Sequence, residues 1–157
     1  MEVAQLSFEA KVKELGIAIP EAAKPLAAYV PAVRHGGVLY VSGQLPSVAG
    51  QVQWKGKVGR DVSPEDGYKA ARLCALNALG AARAELGSLD RIVRVLRVGG
   101  FVNSAPGFTG QPGVVNGASE LLGEIFGDAG KHARAALAAP ELPLDAAVEI
   151  EFLFAVE

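Results

Sequence analysis

The stretch HARAALAAPELPLDAAVEIEFLFAV, from His132 to Val156, predicts two β-strands that bring one arginine and one glutamate to an otherwise apolar sheet. Residues 133–138 are small and apolar except for Arg134, and a proline-containing turn over 140–145 ends that run. After the turn, apolar and acidic residues alternate and then give way to an apolar run, which is typical of a strand covered on both faces. We therefore expect Arg134 and Glu149 to lie on neighbouring strands.

The chemistry of this pair favours a site for a small acid. A guanidinium group is a planar fork that matches a carboxylate, and a partly buried glutamate beside it can handle water or protons. The alternative is a plain salt bridge between Arg134 and Glu149 at a sheet edge, because most charged strand residues are only solvated. The pattern alone leaves both interpretations open.

Hairpins, helices and strands follow one another along the rest of the chain in an order that predicts an α+β fold. The expected elements are a hairpin of Val30–His35 and Val38–Ser42 around Gly36-Gly37, a second hairpin around 52–54, a helix capped by Ser63 that ends at Leu86, a strand over 92–102, and a helix from Val114 to Phe126. This order predicts a single-domain mixed β-sheet with two helices packed on one face. The other sheet face would carry Val41, Leu96 and Ala136, and this apolar surface predicts self-association.

Composition narrows the classes of function. The chain has 157 residues, of which 50% are hydrophobic and 20% charged, with a formal net charge of -2. We therefore expect one globular domain with no nucleic-acid surface. No apolar run reaches membrane-spanning length and the first residues do not resemble a signal peptide, so the prediction is a cytoplasmic protein without membrane contact. The single cysteine, Cys74, is predicted to be a small core residue, and because the only histidines, His35 and His132, are far apart in sequence, we expect no metal site.

The N-terminal part is predicted to be an accessory segment. Residues 1–28 are expected to form a short helix capped by Ser7 and an extended, proline-punctuated arm. Residues 29–157 are expected to form the main body, with both parts belonging to one structural domain.

Several motifs together resemble the reactive intermediate deaminase (RidA/YjgF) family of imine and enamine deaminases. They are the run YVSGQLP over 40–46, the Arg134 strand, the turn Glu141-Leu142-Pro143 and the closing VEIE over 148–151. The segment GFVNSAPGF over 100–108 is similar to a long-chain branch of the family with an N-terminal extension. The resemblance implies a chorismate-mutase-like fold and a homotrimer with its sites in the clefts between chains.

The same resemblance assigns roles to individual residues. Arg134 would bind a substrate carboxylate, Glu149 would orient or activate the attacking water, and Ala136 would contribute its backbone. Tyr29 would lie near the site entrance, the Ser42 hydroxyl would touch the ligand or satisfy turn backbone, and Asn116 would line the pocket or cap the second helix. His35 and His132 border turns and are assigned no catalytic role. Residues 103–113 are expected to form an irregular lid over the pocket.

The function implied by the resemblance is a cofactor-free deaminase that hydrolyses 2-imino or 2-enamino acids to 2-oxo acids and ammonium. Its partners would be a small-molecule carboxylate substrate and two further copies of the chain. One alternative is a non-catalytic trimer that binds small carboxylates or regulatory partner proteins. An endoribonuclease ranks lower, because the acidic charge balance offers no phosphate-binding stripe and the two histidines are far apart in sequence.

Overall fold

The computed structural model of the protein describes residues 7–22, 24 and 28–157. These residues form three α-helices and seven β-strands. In chain order the elements are α1 (Phe8–Glu14), β1 (Ala32–His35), β2 (Val38–Gln44), β3 (Ser47–Val48), β4 (Gln51–Val52), α2 (Pro64–Leu86), β5 (Ile92–Asn103), α3 (Gln111–Phe126), β6 (Ala133–Ala139) and β7 (Val148–Val156). None of the described helices combines the length and apolarity needed to cross a membrane.

Local capping signals set the helix ends. Ser63 accepts a hydrogen bond from the Asp66 N–H, Pro64 occupies the first turn, and Gly87 ends α2 with a positive φ of 84°. These ends confirm the sequence prediction. Helix α3 begins at Gln111, three residues before the predicted start, because Pro112 is accommodated in the first turn where its missing N–H has no intrahelical partner.

The five long strands form one mixed sheet in the order β1-β2-β7-β5-β6, and β3 pairs with β4 in a separate hairpin. Strands β5 and β6 are parallel and joined by α3, whereas β7 is antiparallel to both β2 and β5. The prediction that the two C-terminal strands are adjacent in the sheet is therefore wrong, because β5 lies between β6 and β7. The connection over 140–147 passes the end of β5, where the Asn103 N–H donates to the Ala147 carbonyl at 2.9 Å.

The helices cover one face of the sheet, which we call the inner face. Helix α2 packs over β2 and β7, and α3 packs over β5 and β6. The buried inner-face side chains include Leu39, Val41, Val98, Val102, Ile150, Phe152 and Phe154. The mixed α+β fold with helices on one face is confirmed.

The opposite, open face differs from the prediction in its composition. Val41 pairs with Phe152 and is only 4% exposed, so it belongs to the inner face. Ala136 pairs with Gly100, whose α-carbon faces the Val115 side chain of α3, so it also points inward. Because side chains alternate along a strand, the polar and the larger apolar residues between these positions occupy the open face.

The second hairpin turns earlier than predicted. Ala49 and Gly50 form the turn between β3 and β4 with φ values of 50° and 79°. Two successive positive φ values fit the tight hairpin turns that match the twist of the flanking strands. Residues 53–54 consequently lie after the hairpin rather than at its centre.

The predicted lid is shorter than residues 103–113. Asn103 closes β5 as a fully buried residue, and its side chain bonds to the Ala146 carbonyl at 3.2 Å. Gln111 opens α3 and donates to the Phe108 carbonyl at 2.8 Å. The connecting loop therefore covers 104–110 and is tied to the body at both ends.

Helix α1 is attached to the body by polar and aromatic contacts. The Glu9 carboxylate receives an Arg83 N–H at 2.6 Å and the Leu89 N–H at 2.8 Å, and Phe8 packs edge-on against Phe126 of α3 at 4.7 Å. Burial raises the pKa of Glu9, but the bonds from Arg83 and Leu89 outweigh it and leave that pKa below its usual value. The division of the chain at residue 28 stays a prediction.

Candidate functional site

Arg134 lies on the edge strand β6 and is held from one side by α3. Its Nη1 donates to the Asn116 Oδ1 at 2.8 Å and to the Ser119 Oγ at 3.2 Å. Asn116 and Ser119 are three residues apart and therefore share one face of the helix. Within the described part of the chain, the Nε and Nη2 atoms of the exposed Arg134 donate to no protein acceptor, so this edge of the fork is available to a ligand.

A histidine completes this cluster. The His132 Nε2 lies 2.9 Å from the Ser119 Oγ, and its Nδ1 lies 2.6 Å from the Gly130 carbonyl oxygen. The cleft beside Arg134 has a volume of about 360 Å³ and is lined by Ser119, Gly123, Gly130, Lys131, His132 and Arg134. Sequence reasoning assigned no role to Ser119 or His132. For Ser119 the available signal was its position three residues after Asn116 in the same helix. For His132 it was its position two residues before Arg134.

Glu149 lies on the open face of the sheet, on the other side from this cluster. Its neighbours Val148 and Ile150 are fully buried on the inner face, so the half-buried Glu149 points the opposite way. Its carboxylate accepts no hydrogen bond from any residue that the structure describes. Burial, together with the negative charge of Glu151, raises the pKa of Glu149 above its usual value.

A glycine makes the space that Glu149 occupies. Gly43 lies in the irregular stretch of β2 where the pairing with β7 shifts between Val41 and Gln44. A Cβ atom at residue 43 would come within 2.6 Å of the Glu149 Oε1. Any larger residue at position 43 would therefore displace the Glu149 carboxylate from this position.

Ser42, near the end of β2, is linked through Val30 to Tyr29, which precedes β1. The Ser42 Oγ donates to the Val30 carbonyl at 2.7 Å, so its proton satisfies turn backbone, and the adjacent Tyr29 is 59% exposed. Ser42 also borders an open-face cleft of about 370 Å³ together with Tyr40, Arg97 and Glu151. Contact of Ser42 or Tyr29 with a ligand stays a prediction.

The six predicted site residues therefore fall into two groups. Arg134, Asn116 and Ala136 lie along β6 and the facing side of α3, whereas Ser42 and Glu149 lie on the open face. Tyr29 belongs with the second group only through its neighbour Val30, whose carbonyl accepts from Ser42. The predicted salt bridge between Arg134 and Glu149 is wrong, because strand β5 separates their strands and their side chains leave opposite faces. Capping of α3 by Asn116 is also wrong, since that residue is one and a half turns inside the helix.

Cys74 and possible metal ligands add little to either set of site residues. Cys74 is fully buried in α2, and burial, followed by the charge of Glu149, raises the pKa of its thiol well above the usual value. A thiol in that state is a poor nucleophile. Among the residues with described positions, no three His, Cys, Asp or Glu side chains are grouped closely enough to hold a metal ion.

Comparison with known proteins places this geometry in a family. Residues 9–156 match the model of the YjgF/chorismate mutase-like family, whose description also proposes an endoribonuclease activity. Protein TCP17 of Trypanosoma cruzi is 43% identical over 152 residues, which cover 96% of this chain and 95% of TCP17.

Solved structures share the fold. The protein Atu1372 of Agrobacterium tumefaciens, described as having unknown function, is 44% identical with a TM-score of 0.88, and the match covers 96% of this chain and 92% of Atu1372. The more distant TdcF of E. coli, solved with bound serine, is 21% identical with a TM-score of 0.62 over 87% of this chain and 94% of TdcF. Since the family match spans nearly the whole chain, this protein belongs to the YjgF/chorismate mutase-like family.

Proposed function

We propose that the protein is a cofactor-free hydrolase that converts 2-imino and 2-enamino acids into 2-oxo acids and ammonium, in sites formed between neighbouring chains of a homotrimer. One observation carries the proposal. Arg134 is oriented by Asn116 and Ser119 through Nη1, while its Nε and Nη2 edge is left for a ligand. A planar edge with two N–H donors matches a carboxylate, the group that every 2-imino acid bears beside its reactive carbon.

Carboxylate binding would fix the reacting carbon. Two parallel hydrogen bonds from Arg134 determine both the position and the plane of the substrate carboxylate. Since β6 pairs with β5 on one side only, its outer edge also offers backbone N–H groups near Ala136. Orientation of this kind accelerates a step that water already performs unaided on a reactive imine, so the site needs no covalent intermediate.

Glu149 would supply the base. In the proposed reaction its carboxylate takes a proton from water as the water oxygen bonds to the imine carbon. Starting from the protonated imine, Glu149 then returns this proton to the nitrogen of the tetrahedral intermediate. As the carbon–nitrogen bond breaks, the hydroxyl proton passes to Glu149 and the carbonyl of the 2-oxo acid forms; the departing ammonia takes that proton and leaves as ammonium. A raised pKa makes the carboxylate a stronger base toward water, and Glu149 has no described hydrogen-bond partner that would compete for it.

Two chains are needed because one chain separates the groups. We infer that Arg134, Asn116 and Ala136 of one chain face Tyr29, Ser42 and Glu149 of its neighbour. Large apolar side chains on the open face support this assembly: Val33 is 51% exposed, Tyr40 49% and Leu137 53%. Association would remove this apolar surface from water.

Mixed assembly of inactive variants tests the proposal. Arg134→Ala should lose carboxylate binding, at a cost on the order of 2–5 kcal/mol, and Glu149→Gln should slow hydrolysis by about 10²–10⁴-fold. Each variant alone is then inactive in an assay that generates an imino acid with an amino-acid oxidase and follows release of the 2-oxo acid. Co-refolding the two variants should restore activity, because a ring that mixes them contains one interface with an intact Arg134 facing an intact Glu149.

The controls separate assembly from chemistry. Light scattering should give the mass of a trimer for the wild type and for both variants, and Arg60→Ala, at an exposed arginine paired with Asp61, should remain active. No recovery in mixed trimers would contradict the division of the site between chains. Turnover by Arg134→Ala at the wild-type rate would contradict the proposed function itself.

Two alternatives give different results in the same assay. A non-catalytic carboxylate-binding trimer would bind 2-oxo acids through Arg134 yet leave imine hydrolysis at the uncatalysed rate. The endoribonuclease activity that the family description proposes is less well supported by the geometry, because acid–base cleavage of RNA commonly uses a pair of histidines. His35 belongs to β1 and His132 precedes β6, which are opposite edges of the sheet.

A further inference from the structure

We infer that Ser119 and His132 form a hydrogen-bonded relay that holds Arg134 in the orientation required to bind a carboxylate. This inference rests on the proposed function of Arg134 and adds two positioning residues to it. Both residues line the same cleft as Arg134, and one hydroxyl oxygen lies between the guanidinium and the imidazole, at 3.2 Å from Nη1 and 2.9 Å from Nε2.

The backbone fixes the tautomer of His132. Its Nδ1 lies 2.6 Å from the Gly130 carbonyl oxygen, which can only accept a hydrogen bond. Nδ1 must therefore carry the proton, because a lone pair at that position would face the carbonyl lone pairs. In the neutral ring this leaves Nε2 as an acceptor directed at Ser119.

The fixed tautomer orients the serine hydroxyl in turn. Ser119 has one O–H proton and two lone pairs, and the acceptor at His132 Nε2 attracts the proton. A lone pair of the same oxygen is thereby turned toward Arg134, whose Nη1 can only donate. All the bonds then agree in direction: Arg134 donates to Ser119, Ser119 donates to His132, and His132 donates to the Gly130 carbonyl.

Asn116 alone would not fix the guanidinium in the same way. Its Oδ1 accepts from Nη1 at 2.8 Å, but one hydrogen bond leaves the group free to tilt about that contact. A second acceptor on the same nitrogen, supplied by Ser119, restricts the tilt and keeps the Nε–Nη2 edge directed away from α3. The relay thus fixes the binding edge without occupying it.

A hydroxyl beside an imidazole can also form a nucleophile and its base. The contact from Arg134 argues for positioning instead, because a cationic N–H directed at the Ser119 oxygen withdraws the electron density that an attack would use. Formation of a covalent adduct between Ser119 and a fluorophosphonate, at a rate that depends on His132, would overturn the positioning role.

Steady-state kinetics of the full-length protein test the relay. Ser119→Ala and His132→Phe should each raise KM by about tenfold, the usual worth of a hydrogen bond to a charged group, with kcat changed by less than about twofold. His132→Gln should restore most of the lost affinity, because its side-chain oxygen can accept from Ser119 in place of Nε2. The double variant Ser119→Ala/His132→Phe should be no weaker than the worse single variant, since both remove one chain of bonds.

A ligand-independent measurement separates this inference from the proposed function. In the free protein, ¹H–¹⁵N correlation of the His132 ring should show the proton on Nδ1, and the Nε2 resonance should move in Ser119→Ala. His35→Phe, at the opposite edge of the sheet, is the matched control for the kinetics.

Each failure has its own pattern. A proton on Nε2, an unchanged KM in Ser119→Ala, additive single effects, or equal losses in His132→Phe and His132→Gln would each overturn the relay while leaving the deaminase assignment intact. An Arg134→Ala variant with normal turnover would instead overturn the assignment, even if the ring tautomer is as inferred.

Discussion

The Arg134 cluster and the Glu149 position are the two halves of the candidate site, and they differ in how they are prepared. Arg134 is held by two side chains of α3 and has a histidine behind them. Glu149 has no described hydrogen-bond partner. Burial raises its pKa, and the missing side chain of Gly43 leaves the space that its carboxylate occupies.

The difference fits the task that we propose for each group. A carboxylate anchor must present a fixed geometry, so hydrogen bonds to its rear side are useful. A base must change its protonation state, and hydrogen bonds to its charged form would lower its pKa and weaken it. The molecule therefore orients its arginine with polar contacts and its glutamate with shape alone.

The largest effect is expected from Arg134→Lys. Lysine keeps the charge but loses the planar fork, so we expect kcat/KM for imino acid hydrolysis to fall by about 100-fold. The control is Arg60→Lys, on an exposed arginine whose partner is Asp61. Equal activity of Arg134→Lys and the wild type would show that only charge matters at this half of the site.

The next effect concerns the helix that carries the arginine's partners. A Cβ at Gly117 would lie 2.0 Å from the Tyr68 carbonyl oxygen of α2, and backbone cannot rotate away as a side chain can. We expect Gly117→Ala to lower the free energy of unfolding by about 1–3 kcal/mol and to weaken carboxylate binding by shifting Asn116. Gly113→Ala, where nothing lies within 4 Å, is the control in urea titrations. Equal stability of the two variants would contradict the close helix contact.

The matching change at the other half is Gly43→Ala. The added methyl group must displace the Glu149 carboxylate, so kcat should fall by about tenfold or more while KM changes little. Gly37→Ala is the control within the same hairpin, because its added Cβ would make an ordinary contact of 3.6 Å. A rise in KM with normal kcat would indicate that Glu149 acts in substrate binding rather than in the chemical step.

The smallest effect is a pH-dependent gain of stability in Glu149→Gln. A raised pKa means that the folded state favours the protonated form of Glu149. In the wild type, the stability that goes with this protonated form is fully present below the unfolded-state pKa and is lost as the pH rises through the folded-state pKa. The glutamine variant has no carboxyl group to ionise over that range, so its stability relative to the wild type should increase as the pH rises through the folded-state pKa of Glu149. Thermal unfolding from pH 4 to pH 8, with the exposed Glu141→Gln as control, measures it. A variant less stable than the wild type at pH 8 would indicate that a cation compensates Glu149.

Features that depend on adjacent residues were predictable. Ser63, Pro64 and Gly87 define α2 because capping is decided within one turn of the helix. Gly36-Gly37 likewise placed the first hairpin correctly. The face reached by each residue of β7 was also predictable, because side-chain direction alternates along any strand.

Strand order was not predictable from proximity in sequence. The eight-residue connection from β6 to β7 resembles a hairpin, yet β5 occupies the place between them. A long apolar strand gains most by being buried between two others, and that preference depends on the whole sheet. The same error placed Arg134 beside Glu149.

The sequence by itself determined the elements, the helix-covered sheet and the residue types suited to a small acid. The tertiary structure decided which of those residues meet: it divided Arg134 from Glu149 and joined Arg134 to Ser119 and His132. The physical reason is that capping and strand alternation act over a few residues, whereas contacts between strands and helices depend on how all the apolar surfaces are buried together.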